Sequence, residues 1–169
     1  CVPGDALARS LLYGEPYPVK AMILAGGNPL VTWPGTTMMQ RAFGRLDLMV
    51  VMDLFMTATA RQAHIVLPAA DAFEKTQLIV RSGYFGPDQP TSFVVLRKRI
   101  KDPGERRSDW WFWRQLAHRL DLGTHYPWET EEEAIDFQLA PLNISARDLI
   151  ENPVGLYVGE PHRFRGYEQ

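Results

Sequence analysis

Residues 48–53 read LMVVMD, five apolar residues without polar alternation, stopped by a carboxylate. A run of this length, rich in Val, Leu and Met, fits a strand buried on both faces, as in the middle of a parallel sheet. Similar runs flank it. Ala21–Ala25 (AMILA) ends on Gly26-Gly27-Asn28-Pro29, and His64–Leu67 (HIVL) ends on Pro68-Ala69-Ala70. Short helical patterns separate the three. Strand, helix, strand, helix, strand predicts an α/β fold with a mainly parallel sheet and helices on its faces. Such sheets bind ligands beyond the C-terminal ends of their strands, where these clusters fall.

The strands are expected at about Val19–Ala25, Asp47–Met52 and His64–Leu67. The spacing predicts helices over Asp5–Tyr13 (Leu7, Leu11 and Leu12 on one side), Thr36–Phe43 (Met38, Met39, Ala42 and Phe43 inward) and Thr57–Ala63. Leu78–Val80 and Phe93–Leu96 read as β, flanking a Gly/Pro-rich loop, Gly83–Pro90. Trp110–Leu120 is the clearest amphipathic helix, with Phe112, Trp113, Leu116, Ala117 and Leu120 on one face. Ser108 is its expected N-cap and Gly123 its stop. Thr130 with Glu133 suggests a capping box for a helix to about Leu139, and Ser145–Ile150 a short one. From Pro153 the chain reads as an extended tail over a neighbouring surface. The expected division is residues 1–123 as an α/β domain and 124–169 as a helical and extended C-terminal extension.

With 46% apolar and 22% charged residues, the 169-residue chain has the make-up of an ordinary globular protein able to bury a substantial core. A net charge of −2 argues against a general polyanion binder, and no nucleic-acid partner is expected. No apolar stretch approaches the roughly 20 residues of a membrane span. One cysteine, Cys1, excludes an internal disulfide and cannot alone build an iron–sulfur or zinc site. The four histidines show no metal-ligand spacing. No nucleophile–base pair stands out. The start, Cys1-Val2-Pro3-Gly4, reads as the interior of a longer polypeptide.

Several residues have both a structural and a binding reading. Gly26 and Gly27 allow positive φ and close approach of backbone N–H groups to a ligand, and Asn28 both donates and accepts. For an isolated Gly-Gly-Asn-Pro, a tight turn into Pro29 is the commoner explanation. The turn also lacks the three spaced glycines of the dinucleotide fingerprint. Asp53 stands where such sheets place an acceptor for ribose hydroxyls or a base edge, or it caps the next helix. Lys75 is placed to meet a phosphate, or belongs to a solvated Glu74–Lys75 pair. Asp109 opens a helix, where it suits guanine N–H donors or the helix dipole. The runs Arg97-Lys98-Arg99 and Arg106-Arg107 read as an anion-binding face or a solvated strand edge. The five tryptophans read as a large packed surface.

Three segments in order resemble the large subunits of molybdopterin oxidoreductases of the dimethyl sulfoxide reductase family. They are LAGGNPLVTWP, LDLMVVMDLFMTATARQAHIVLPAADAFEK and DPGERRSDWWFWRQLAHRLDLG, spanning about Val19 to Gly123. The resemblance implies a Rossmann-like three-layer domain holding the dinucleotide end of a molybdopterin guanine dinucleotide with Mo or W. Carried over by position, it implies cofactor contacts at Gly26, Gly27, Asn28, Met52, Asp53, Lys75 and Asp109. The stretch Thr76–Val80 departs from the Glu-Gly and aromatic-Asn continuation usual after the Glu-Lys pair, which bears on Lys75. The metal ligand and a 4Fe-4S cluster are expected elsewhere in the full-length chain. The expected partners are the remaining domains of the same large subunit and an iron–sulfur electron-transfer subunit, without direct membrane insertion. The isolated fragment is expected to be inactive. Cytoplasm and periplasm fit equally. The competing readings are a stand-alone guanine-nucleotide-binding module and a subunit scaffold without redox activity.

Overall fold

The computed structural model describes residues 4–83 and 90–161. Strand β1 is Ala21–Ala25, β2 is Leu48–Asp53 and β3 is Ile65–Pro68; they form a parallel sheet with β2 in the middle. Met49, Val50, Val51 and Met52 are all buried, so both faces of β2 are covered. Alternation puts Met49 and Val51 on one face and Val50 and Met52 on the other. The first pair joins a core with Ala8 and Leu11 of α1 (Gly4–Tyr13), Leu30 of α2 (Pro29–Thr32), and Met39, Ala42 and Phe43 of α3 (Thr36–Phe43). Burying one large side chain such as Phe43 contributes roughly 1.5–3 kcal/mol.

Two-sided burial holds for β2 alone. β1 and β3 are half-buried with exposed ends. Among the described residues each has a full strand on one side only, and so loses the shielding that a second neighbour gives. β1 opens at Ala21 rather than Val19. Its ladder begins at Lys20, whose carbonyl accepts the Asp47 and Leu48 N–H groups at 2.8 and 3.2 Å. In α3, Met39, Ala42 and Phe43 are buried as expected, but Met38 is exposed. The helix expected over Thr57–Ala63 is only a 3-10 turn, Ala60–Gln62. Thr57 Oγ1 accepts the Ala60 N–H at 3.2 Å, the kind of side-chain bond that competes with a regular helix.

His64 precedes β3 and aligns it. Its N–H donates to the Met49 carbonyl and its Nδ1 accepts the Met49 N–H, both at 2.9 Å. A backbone N–H can only donate, so Nδ1 carries the lone pair and the ring proton sits on Nε2.

The chain divides into two compact units. The first runs to Asp71 and takes in Gly104–Asp109; the second holds Ala72–Pro103 and the chain from Trp110 onward. The second unit is built on an antiparallel sheet in which β5 (Pro90–Arg97) lies between β4 (Gln77–Ser82) and β6 (Leu156–Pro161). The fold is therefore mixed α/β, with a parallel and an antiparallel sheet of three strands each, rather than mainly parallel. Residues 84–89 of the expected Gly83–Pro90 loop lie outside the described residues.

The segment expected as a surface tail supplies β6. A Cβ at Gly155, whose φ is +91°, would overlap the Phe93 ring, so the approach to β6 depends on that glycine. Val94, Leu96 and Val158 pack with Ile135 and Leu139 of one helix, Glu131–Leu139, and with Ala146 and Leu149 of another, Ala146–Glu151. The helix α4 is Asp109–Arg119, in the second unit from Trp110 on; the later two are α5 and α6.

Of the expected apolar face of α4, only Ala117 is buried; Trp113 and Leu120 are 37% and 59% exposed. Asp121, not Gly123, takes the left-handed position after this helix, at φ 58°, and the Leu122 N–H closes onto the Ala117 carbonyl at 2.8 Å. Gly123 has a different use, because a Cβ there would meet His118 Nδ1 at 2.6 Å. Thr130 caps α5 by accepting the Glu133 N–H at 3.1 Å, but the Glu133 carboxylate takes the Glu129 N–H instead of returning to Thr130. Ser145 and Asp148 complete a reciprocal capping box on α6.

Both local devices, the His64 ring and the α6 cap, are open to measurement. His64→Ala removes the acceptor of the Met49 N–H in a residue with no exposed surface, a loss worth about 1–3 kcal/mol. Hydrogen exchange at the Met49 amide should accelerate in this variant; unchanged protection there would refute the alignment role. At α6, hydrogen bonds from the Ser145 hydroxyl and N–H hold the Asp148 carboxyl below its ordinary value. The resulting stabilisation is present above the ordinary aspartate range and lost as pH falls through the lowered value. Ser145→Ala should move the NMR titration midpoint of Asp148 upward, and an unmoved midpoint would contradict this cause.

Candidate functional site

β1 ends at Ala25 opposite Met52, one residue before β2 ends at Asp53. One rung further, the Gly26 N–H donates to the Met52 carbonyl at 2.9 Å, and a φ of +61° at Gly26 turns the chain off the sheet. Asn28 then precedes Pro29, the first residue of α2. The Asn28 side chain does not cap that helix. Its Oδ1 accepts from Thr59 Oγ1 at 2.7 Å and from the Thr59 N–H at 3.3 Å. Among the described residues, the N–H groups of Gly27 and Asn28 have no backbone acceptor.

Asp53 closes β2 and folds the loop after it. Its Oδ1 accepts the Leu54 N–H at 2.7 Å, and its Oδ2 accepts Thr57 Oγ1 at 3.1 Å. Asp53 therefore braces the loop and does not cap a helix; the residue before the 3-10 turn is Thr59. Oδ1 also takes the Phe55 N–H at 3.5 Å, and a carboxylate has about four lone-pair directions, so Oδ2 keeps capacity for a further donor. The Met52 side chain is buried. The crest of the loop, Leu54, Phe55 and Met56, is 49%, 75% and 56% exposed, an uninterrupted apolar stretch beside the Asp53 carboxylate.

Beyond β3 the first unit gains one more short parallel segment. Ala69 bridges to Arg107, the Arg107 N–H donates to the Pro68 carbonyl at 3.2 Å, and the Ala70 N–H donates to the Arg107 carbonyl at 2.8 Å. Buried Ser108 and half-buried Asp109 come directly after it. Asn28, Asp53 and Asp109 therefore stand after segments of one sheet, in that order along its C-terminal edge. Three strand spacings separate the first segment from the last, about 14 Å.

Lys75 belongs to the second unit. It comes after Glu74, which is 1% exposed and lies 3.3 Å from Lys101 Nζ. Part of the basic runs serves the chain itself. Arg97 donates to the Gln77 side chain, and Arg107 donates to the carbonyls of Gly104 and Arg106 at 2.6 and 2.8 Å. Sequence reasoning gave no role to Thr57 and Thr59, which hold Asp53 and Asn28 in place. The signal for Thr57 was available in its spacing of four from Asp53.

A molybdopterin oxidoreductase family model matches residues 7–119. The chain is 29% identical over 169 residues to the thiosulfate reductase molybdopterin-containing subunit PhsA of Salmonella typhimurium, covering 96% of this chain and 22% of that protein. It is 32% identical over 137 residues to acetylene hydratase of Syntrophotalea acetylenica, covering 80% of this chain and 18% of that protein. It is 33% identical over 115 residues to the F420-dependent formate dehydrogenase subunit alpha of Methanocaldococcus jannaschii, covering 68% and 16%. The solved structure of acetylene hydratase from Pelobacter acetylenicus matches with a TM-score of 0.75 and 27% identity, over 94% of this chain and 21% of that one. The chain thus spans about a fifth of the length of these relatives. With most of its length matched by the family model, the chain belongs to the molybdopterin oxidoreductase family.

Proposed function

We propose that this chain is the part of a molybdenum- or tungsten-dependent oxidoreductase that holds the guanine dinucleotide tail of a pterin cofactor. The observation that carries this reading is the pairing of two locked loops on adjacent strand ends: Asn28 held by Thr59, and Asp53 held by Thr57. They offer a donor and an acceptor from loops that follow adjacent strands, the strands themselves about 5 Å apart. That donor set fits a guanosine tail. The Asn28 Nδ2 and the N–H groups of Gly27 and Asn28 suit acceptor oxygens, including those of a pyrophosphate. Asp53 accepts from guanine N–H groups or ribose hydroxyls, and Asp109 does so further along the edge. Leu54, Phe55 and Met56 offer apolar surface to a purine face. Met52 contributes through position, ending the buried strand that presents Asp53. The family resemblance carries Lys75 over as a further cofactor contact.

When bound, the metal–pterin group supplies two-electron redox chemistry, often oxygen-atom transfer. This chain's own residues bind and orient it. The similar proteins are named for different reactions, among them a reductase, a dehydrogenase and a hydratase. A domain shared among them carries what they have in common rather than the choice of substrate. Burial of Val50 and Met52, opposite the helix-covered face of the sheet, supports a Rossmann-like three-layer arrangement. The metal ligand, a 4Fe-4S cluster and the rest of the large subunit belong to the remainder of the full-length protein, with an iron–sulfur subunit as redox partner. Two of the similar proteins are named as subunits. Among the described residues, no helix is long and apolar enough to cross a membrane.

The reading is tested in the full-length enzyme. Asp53→Asn keeps an oxygen for the Leu54 N–H but sets an amide N–H2 against any ligand donor, and Asp109→Ala removes the second carboxylate. Each charge-assisted bond is worth about 1.5–3 kcal/mol. Pterin-derived guanosine monophosphate and metal per chain should fall several-fold in both variants, with thermal stability little changed. Full metal and nucleotide occupancy in both would refute the proposal.

A further inference from the structure

Thr59 has no exposed surface and lies at the far end of the loop that Asp53 begins. Its hydroxyl and N–H make three hydrogen bonds. Its Oγ1 accepts the Leu30 N–H at 3.2 Å and donates to Asn28 Oδ1 at 2.7 Å, and its own N–H donates to the same Oδ1 at 3.3 Å. The direction of every bond is forced, because a backbone N–H can only donate. The Leu30 N–H uses Thr59 Oγ1 as an acceptor, and the hydroxyl proton points at Asn28 because the atom facing it is an oxygen that can only accept. The Thr59 N–H requires that the Asn28 atom facing it be the carbonyl oxygen rather than the amide nitrogen. Oδ1 thus takes two donors. Nδ2 is turned away from Thr59 and meets no hydrogen-bond acceptor among the described residues.

We infer that Thr59 is a positioning residue: it sets the orientation of the Asn28 amide and so makes position 28 a hydrogen-bond donor toward the nucleotide tail. This rests on the proposed placement of the cofactor at this edge and adds the kind of ligand atom met there. Asn28 faces an acceptor oxygen, on phosphate or on the base, and not a ligand N–H. A free Asn amide presents either end at similar energy. Thr59 removes that choice before the ligand arrives, which lowers the cost of ordering the contact.

The test uses the full-length, cofactor-loaded enzyme and reads cofactor loss in mild urea. Released cofactor is measured as guanosine monophosphate after acid hydrolysis of the filtrate. The variants are Asn28→Ala, Thr59→Ser, Thr59→Val and the double variant Asn28→Ala/Thr59→Val. Thr59→Ser keeps the hydroxyl and should release cofactor at close to the wild-type rate. Thr59→Val should release it about 5–10-fold faster, the effect of one hydrogen bond. In the Asn28→Ala background the same change should add nothing. An equal factor in both backgrounds would assign Thr59 a merely structural role and overturn the inference. Wild-type retention by Thr59→Val beside a leaky Asn28→Ala would also overturn it, leaving the proposed function in place. Wild-type retention by Asn28→Ala would instead remove the cofactor from Asn28 altogether. Where Thr59→Val does not accumulate, Asn28→Asp decides. It keeps an oxygen toward Thr59 and replaces the Nδ2 donor by oxygen, so release should be at least as fast as in Asn28→Ala, and wild-type retention would contradict the inference.

Discussion

Parallel pairing of β1 with β2, Ala25 opposite Met52, brings two strands to an end within one residue of each other, and the rest of the first unit is arranged around that edge. Two loops leave the sheet side by side because of it. Had the register slipped by one residue, Met49 and Val51 would exchange faces with Val50 and Met52, and the packing of α1 and α3 on the sheet would be lost. The core therefore fixes the register, and the register fixes where Asn28 and Asp53 stand. The Gly26 N–H to Met52 carbonyl bond adds a final rung at the point where the chain turns away.

The parallel sheet was legible because its strands are apolar runs bounded by turn residues, a pattern that local sequence carries. Their exact ends were less so. Whether His64 belongs to β3 depends on a bond from its ring to Met49, fifteen positions away, which no local pattern encodes. The second sheet was legible only in its hairpin. The place of β6 beside β5 is set by a partner about 60 residues earlier in sequence, and Pro and Gly around 153–159 resemble a tail until that pairing is made. The α4 pattern is amphipathic, yet Trp113 and Leu120 stay largely exposed. Periodicity reports a face capable of burial, not the presence of something to cover it.

The candidate site divides in the same way. Asn28 and Asp53 were readable because glycine turns and terminal carboxylates at strand ends have a general use in such sheets. Thr59 was not, because its partners Asn28 and Leu30 lie 31 and 29 positions away. The threonine also illustrates how one residue serves two links of the chain of cause. Its carbonyl accepts the Gln62 N–H of the 3-10 turn at 3.0 Å, and its hydroxyl joins the two loops of the edge. Similarity to enzymes named for unlike reactions is consistent with the proposed division of labour, in which this edge would hold a shared group and the reaction would be chosen elsewhere in proteins about five times this length.

The most direct measurement is an experimental structure of the full-length enzyme with its cofactor bound. The predicted result is a guanosine tail lying along the C-terminal edge of β1, β2 and β3, with Asn28 Nδ2 on an acceptor oxygen and the Asp53 carboxylate on a base or ribose donor. A nucleotide tail bound away from that edge, with Asn28 and Asp53 facing only protein or solvent, would contradict it.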